Sequence, residues 1–152
     1  MRVRLLSIGL ALGLVGALVA PAVSAEAAVS PVRFVRISYD PAGADTRTNT
    51  QLNKEWIQVR NFSSVARNLG GWRIRDAANH TFVFPSGYIL KAGTTVTVHT
   101  GKGTNQPTSL YWQQGWYIWN NNGDNARLQT PSNTIIDRCS YGFVPNRVSV
   151  AC

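Results

Sequence analysis

The sequence predicts an all-β sandwich, on three observations. After residue 28, apolar residues recur with period two in short runs. Gly, Pro, Asn and Asp cluster between the runs, where turns need unusual backbone angles or side chains that bond their own backbone. No stretch of this region carries the 3.6-residue apolar period of an amphipathic helix.

Seven strands follow in order. Val35, Ile37 and Tyr39 alternate with Arg36 and Ser38. Ile57 and Val59 alternate with Trp56, Gln58 and Arg60, and Trp72 and Ile74 alternate with Arg73 and Arg75. Each run reads as one dry face and one wet face. Thr81–Phe84, Thr94–Thr100, Asn125–Gln129 and Thr134–Ser140 complete the set, with turns such as Leu69-Gly70-Gly71, Pro85-Ser86-Gly87 and Asn122-Gly123-Asp124 between them. Seven short strands in about 125 residues fit a two-sheet sandwich. The least regular stretch is a polar loop over Gly101–Thr108, followed by Leu110–Trp119 with five aromatics in ten residues.

The front of the chain is different. Of the first 25 residues, 17 are apolar. Arg2 and Arg4 precede an apolar run from Leu5 to Ala20, and small residues follow. That is the pattern of a secretory signal peptide, residues 1–28, with cleavage after Ala25 to Ala28. The run is shorter than the roughly 20 residues that cross a bilayer, and no later segment is apolar enough to span a membrane. One domain over 29–152 is expected, secreted and monomeric, with a net charge of +6 or +7 depending on the cleavage position. In an oxidising exterior Cys139 and Cys152 pair with each other or with another molecule. The intramolecular pair is expected, as a staple holding residues 140–152 against the last strand.

Several ordered blocks carry a family resemblance. Asn53-Lys54-Glu55-Trp56-Ile57-Gln58-Val59-Arg60-Asn61, Leu69-Gly70-Gly71-Trp72-Arg73-Ile74-Arg75-Asp76 and His80-Thr81-Phe82-Val83-Phe84-Pro85-Ser86-Gly87 are three of them. Leu90–Gly101, Leu110-Tyr111-Trp112 and Trp119–Asp124 with Ala126 and Leu128 extend the match to about residue 141. Together they resemble the lamin-tail domain as it occurs in secreted bacterial proteins. The resemblance implies an immunoglobulin-like β-sandwich and an interaction or structural module without a catalytic signature. Nuclear members are associated with protein and DNA contacts, and bacterial ones stand alone or are joined to exported proteins such as nucleases. Within it, Trp72 is expected as an inward anchor after the Gly70-Gly71 reversal, and Asn53, Glu55 and Asp124 as side chains tying turns to backbone. Trp112, Ile118 and Trp119 are expected in the core. The chain departs from the family in its extension past Tyr141, and at Trp116-Tyr117, where members more often carry small or polar residues.

The residues argue against catalysis. Six acids follow Ala28, namely Asp40, Asp45, Glu55, Asp76, Asp124 and Asp137. A glycosidase needs two of them across one sugar ring. Asp40 and Asp45 share a polar loop that reads as solvated, or as a weak calcium site built of oxygen ligands. No nucleophile elbow occurs, Cys139 as a nucleophile conflicts with an oxidised exterior, and two cysteines with the distant His80 and His99 make no zinc set. No cofactor and no metal are expected. Two contact surfaces remain. Trp116 and Tyr117, with the Thr104–Thr108 loop, would receive a protein or a cell-envelope glycan, because flat rings bury area with few rotors. Alternatively Arg36, Arg60, Arg73 and Arg75, all on wet strand faces, would form a stripe for a polyanion such as nucleic acid or an anionic wall polymer. The aromatics lie away from these arginines along the chain, which weakens the nucleic-acid form of that reading.

Overall fold

The computed structural model describes residues 29–152; the expected signal peptide lies outside the described residues. Eleven strands and one helical turn follow in order: β1 Val32–Ser38, α1 Asn49–Leu52, β2 Trp56–Asn61, β3 Arg67–Asn68, β4 Arg73–Arg75, β5 Thr81–Val83, β6 Ile89–Leu90, β7 Thr95–His99, β8 Ser109–Tyr111, β9 Gly123–Gln129, β10 Ile135–Gly142 and β11 Ser149–Ala151. One sheet has the order β11-β1-β2-β7-β8 and the other β10-β9-β4-β5, with β3-β6 a small separate pair. This is an all-β, immunoglobulin-like sandwich.

Period-two patterning explains the interface between the sheets. Ile57 and Val59 of β2, Val96 and Val98 of β7 and Leu110 of β8 turn inward to meet Ile74, Ala126 and Leu128 of the other sheet; all are buried. The four strands the sequence did not announce, β3, β6, β8 and β11, are two or three residues long.

At β1 the alternation breaks. The pairing with β2 shifts between Phe34 and Arg36, a bulge that leaves Val35 only half-buried and turns Val32 and Phe34 inward with Ile37. Next to the bulge, two backbone groups on the side of β1 away from β2 are satisfied by other elements. The Phe34 amide donates to an Asp137 carboxylate oxygen at 2.7 Å, and the Val35 carbonyl accepts from the Cys152 amide at 2.9 Å.

Trp72 is not the inward anchor expected of it. It leaves the Leu69-Gly70-Gly71 turn with its amide bonded back to the Leu69 carbonyl, so it sits at the end of β4 and packs, half-buried, on the margin of the core. Trp119, 1% exposed, takes the centre, with Trp112 edge-on at 5.9 Å and Phe82 beyond it at 5.8 Å. The reversal itself needs both glycines. Gly71 has φ +77°, and a Cβ on Gly70 would lie 2.7 Å from the Gly87 amide nitrogen.

Cys139 and Cys152 are disulfide-bonded. The bond does not hold the extension against β10. After Gly142 the chain turns away and β11 adds antiparallel to β1, pairing Arg36 with Ala151 and Ser38 with Ser149. Because β10 and β1 belong to different sheets, the staple joins the two sheets along one side of the sandwich. The reason is an open edge: without β11, β1 would present unpaired amides and carbonyls.

Candidate functional site

The Leu110–Trp119 run divides by depth. Leu110, Trp112, Ile118 and Trp119 are in the core, as expected of the last three. Trp116 is 56% exposed, and the Arg47 guanidinium lies over its ring with Cζ 3.4 Å from the centroid. Arg47 reaches this position from a left-handed backbone conformation, φ 55°. That conformation costs a non-glycine residue about 1–2 kcal/mol, and a cation over a tryptophan face recovers about 0.5–2 kcal/mol. Tyr117 beside it is half-buried; burial, and then the nearby Asp45 charge, raise its hydroxyl pKa above the ordinary tyrosine value. The result is a flat exposed patch of ring and guanidinium.

The Thr104–Thr108 loop has other neighbours. Lys102 at its start exchanges hydrogen bonds with Asn49 and is bonded by Asn53, Gly103 is clasped by Gln113, and the Pro107 carbonyl accepts from the Tyr88 hydroxyl at 2.7 Å. Its tip therefore lines a groove with Pro85, Gly87 and Tyr88.

The four arginines do not make one stripe. Arg36 of β1 and Arg60 of β2 lie on the outer face of the five-stranded sheet, and Arg73 and Arg75 of β4 on the outer face of the other, so the core separates the pairs. Their common wet parity gave no information about which sheet each strand joins. On the first face Arg33 stands directly opposite Arg60, and both guanidiniums lie over the Phe62 ring, at 4.4 and 5.2 Å. The same face carries a cross-strand row of Trp56, His99 and Tyr111, the last two stacked at 5.1 Å. One aromatic of the Leu110–Trp119 run, Tyr111, thus shares a sheet face with Arg36 and Arg60, two strands from Arg60 and three from Arg36. On the second face Arg75 is in register with Arg127, and Arg127 with Arg138. Sequence reasoning missed Arg127 and Arg138 because only the strand pairing places them beside Arg75.

Four of the six carboxylates are committed to backbone. Glu55, fully buried, accepts from the Thr100 hydroxyl at 2.6 Å and the Ile118 amide at 2.7 Å; burial pushes its pKa up to about 7. Asp124 accepts from the amides of Ala77, Asn120 and Asn125, and Asp76 from the amide and ring of His80. Asp137 accepts from the Phe34 amide of β1. Asp40 accepts from the Asn121 side chain, and Asp45 faces Tyr117. The turn-tying role expected of Glu55 and Asp124 is therefore visible as specific bonds, as is that of Asn53, which bonds the Lys102 carbonyl.

Two packed sheets and turn-tying acids define an immunoglobulin-like module of a binding or structural kind. The chain matches the lamin tail domain family over residues 25–143 and belongs to that family. The β11 strand and its Cys152 anchor lie beyond the matched residues. Among the described residues no helix is long and apolar enough to cross a membrane.

Proposed function

We propose that this chain is a secreted, monomeric, non-catalytic lamin-tail module that docks on a protein or glycan surface of the cell envelope through Trp116. The observation that carries the proposal is the arrangement at Trp116, a large ring left in solvent and held flat by Arg47. Rings presented in this way anchor contacts, because they bury much area while losing little rotamer freedom. Tyr117 extends the patch and Asp45 sets its acidic margin. Absence of catalysis is supported by the carboxylates, since Glu55, Asp76, Asp124 and Asp137 already accept backbone amides that would otherwise be unpaired. Secretion is supported by the leader pattern in the sequence and by the disulfide.

The test is co-sedimentation of the purified chain with insoluble wall and envelope material at about 0.1 and 1 M salt, since ring contacts tolerate screening. Retention at both salt concentrations that is lost in Trp116→Ala is the expected result. Equal retention of Trp116→Ala, or no retention of the natural chain, would refute the assignment. The charge-driven alternative, one stripe of Arg36, Arg60, Arg73 and Arg75, has no common face; a different set of arginines supports contact with polyanions.

A further inference from the structure

We propose that the outer face of β4, β9 and β10 is a docking face for a linear phosphodiester polymer without bases, of the kind formed by phosphate-linked polyols. Arg75, Arg127 and Arg138 stand side by side on three neighbouring strands, and Arg73 is two residues from Arg75 on the same face. Neighbouring strands are about 4.8 Å apart, so this is a closely spaced row of positive charge running across the strands. Like charges directly opposite each other weaken a sheet. The usual relief, an interleaved carboxylate, is absent: Asp124 and Asp137, the acids of these strands, turn inward to backbone amides. Among the described residues the only ion pair is His80 with Asp76, and Asp76 is fully buried.

The row is also held in place by neutral groups. Arg73 donates to the Pro131 carbonyl and the Asn133 side-chain oxygen, both at 2.9 Å. Arg127 donates to the Asp76 carbonyl at 2.6 Å and the Asn79 side-chain oxygen at 2.7 Å. Neutral acceptors fix the guanidinium positions and leave their charge uncompensated, which is the preorganisation an anionic partner needs. Among the described residues Arg75 and the exposed Arg138 make no side-chain hydrogen bond, and they complete the row.

The rest of the face selects among anions. Its outward positions are Thr81, Val83, Asn125, Ile135 and Ser140, with no aromatic ring on which a base would stack. The contact is therefore with phosphates alone. The choice of an envelope polymer over double-stranded DNA rests on the secretion reading; the existence of the charged face does not, and it is independent of Trp116.

The experiment is binding of a poly(glycerol phosphate) to the full secreted chain by fluorescence anisotropy over a salt series, with duplex DNA and polygalacturonate as comparison probes. Two double variants remove equal charge from opposite faces, Arg75→Gln with Arg138→Gln, and Arg36→Gln with Arg60→Gln. Removing two phosphate contacts should lower affinity about tenfold or more and flatten the log–log salt slope by about 1.4. At about 0.1 M salt and above, the opposite-face variant should stay within about twofold of the natural chain, since screening there falls to about 10 Å or less. Equal losses in both variants would show a general effect of net charge and overturn the proposal, as would no binding at low salt. Tighter binding of duplex DNA or polygalacturonate, lost in the same Arg75/Arg138 variant, would overturn the choice of polymer.

Discussion

Asp137 of β10 accepts the backbone N–H of Phe34 in β1 at 2.7 Å, a hydrogen bond between the two sheets. It satisfies an amide that faces away from β2 and lies past the last contact of β11 with β1, at a residue that is itself 3% exposed. The acid therefore closes the part of the β1 edge that β11 does not reach.

Asp137→Ala is expected to cost about 1–3 kcal/mol, the penalty of leaving a buried donor without a partner. Asp137→Asn keeps an acceptor oxygen and should lose clearly less. Urea denaturation of the two variants measures the difference; equal losses would mean that charge, and not the accepted hydrogen bond, carries the effect.

The Cys139–Cys152 bond closes a short loop, with a sequence separation of 13, and ties β11 to its place on β1. On the chain-entropy estimate its removal costs about 3 kcal/mol. The loss should be local first. In the Cys139→Ala, Cys152→Ala variant, amide exchange should quicken at Arg36–Ser38 and Ser149–Ala151 before it does at Ile57–Val59. Uniform acceleration would argue against a role in securing the edge.

Glu55 gives stability an unusual pH dependence. Its folded pKa of about 7 lies above its ordinary 4.5 because burial disfavours the carboxylate. The folded state therefore binds its proton more tightly than the unfolded chain. Between about 4.5 and 7 this group's contribution falls as pH rises, by up to about 3 kcal/mol, and it is level above that window. Glu55→Gln, neutral at every pH and still able to accept from Thr100 and Ile118, should flatten that part of the profile. Denaturation midpoints at pH 4.5 and 7.5 for both proteins check it.

Two tryptophans separate core from surface. Trp119→Ala should cost about 3–5 kcal/mol, because it empties the centre of the sandwich. Trp116→Ala should cost less than about 1 kcal/mol, as for other exposed positions whose loss opens no cavity. Thermal melts of the two variants are enough, and a large loss for Trp116 would mean that its ring supports the fold as well as presenting a surface.

Local chemistry in the sequence determined the sandwich itself. Alternation at Ile57–Val59 and around Ile74 depends only on neighbouring residues, and the Gly70-Gly71 reversal on a backbone angle and a close approach that glycine permits; both are legible one segment at a time. The ordered blocks identified the family for the same reason, and they placed Trp112, Ile118 and Trp119 inside. Tertiary structure alone decided what long-range pairing decides. It moved Trp72 to the margin, set a bulge at Val35, sent the Cys152 extension to β1, and divided Arg36 and Arg60 from Arg73 and Arg75. It also brought Arg127 and Arg138 beside Arg75 and Arg47 over Trp116. A strand's parity says which of its residues are wet. It does not say which strand lies next to it, and the charge of a surface is a property of the neighbours.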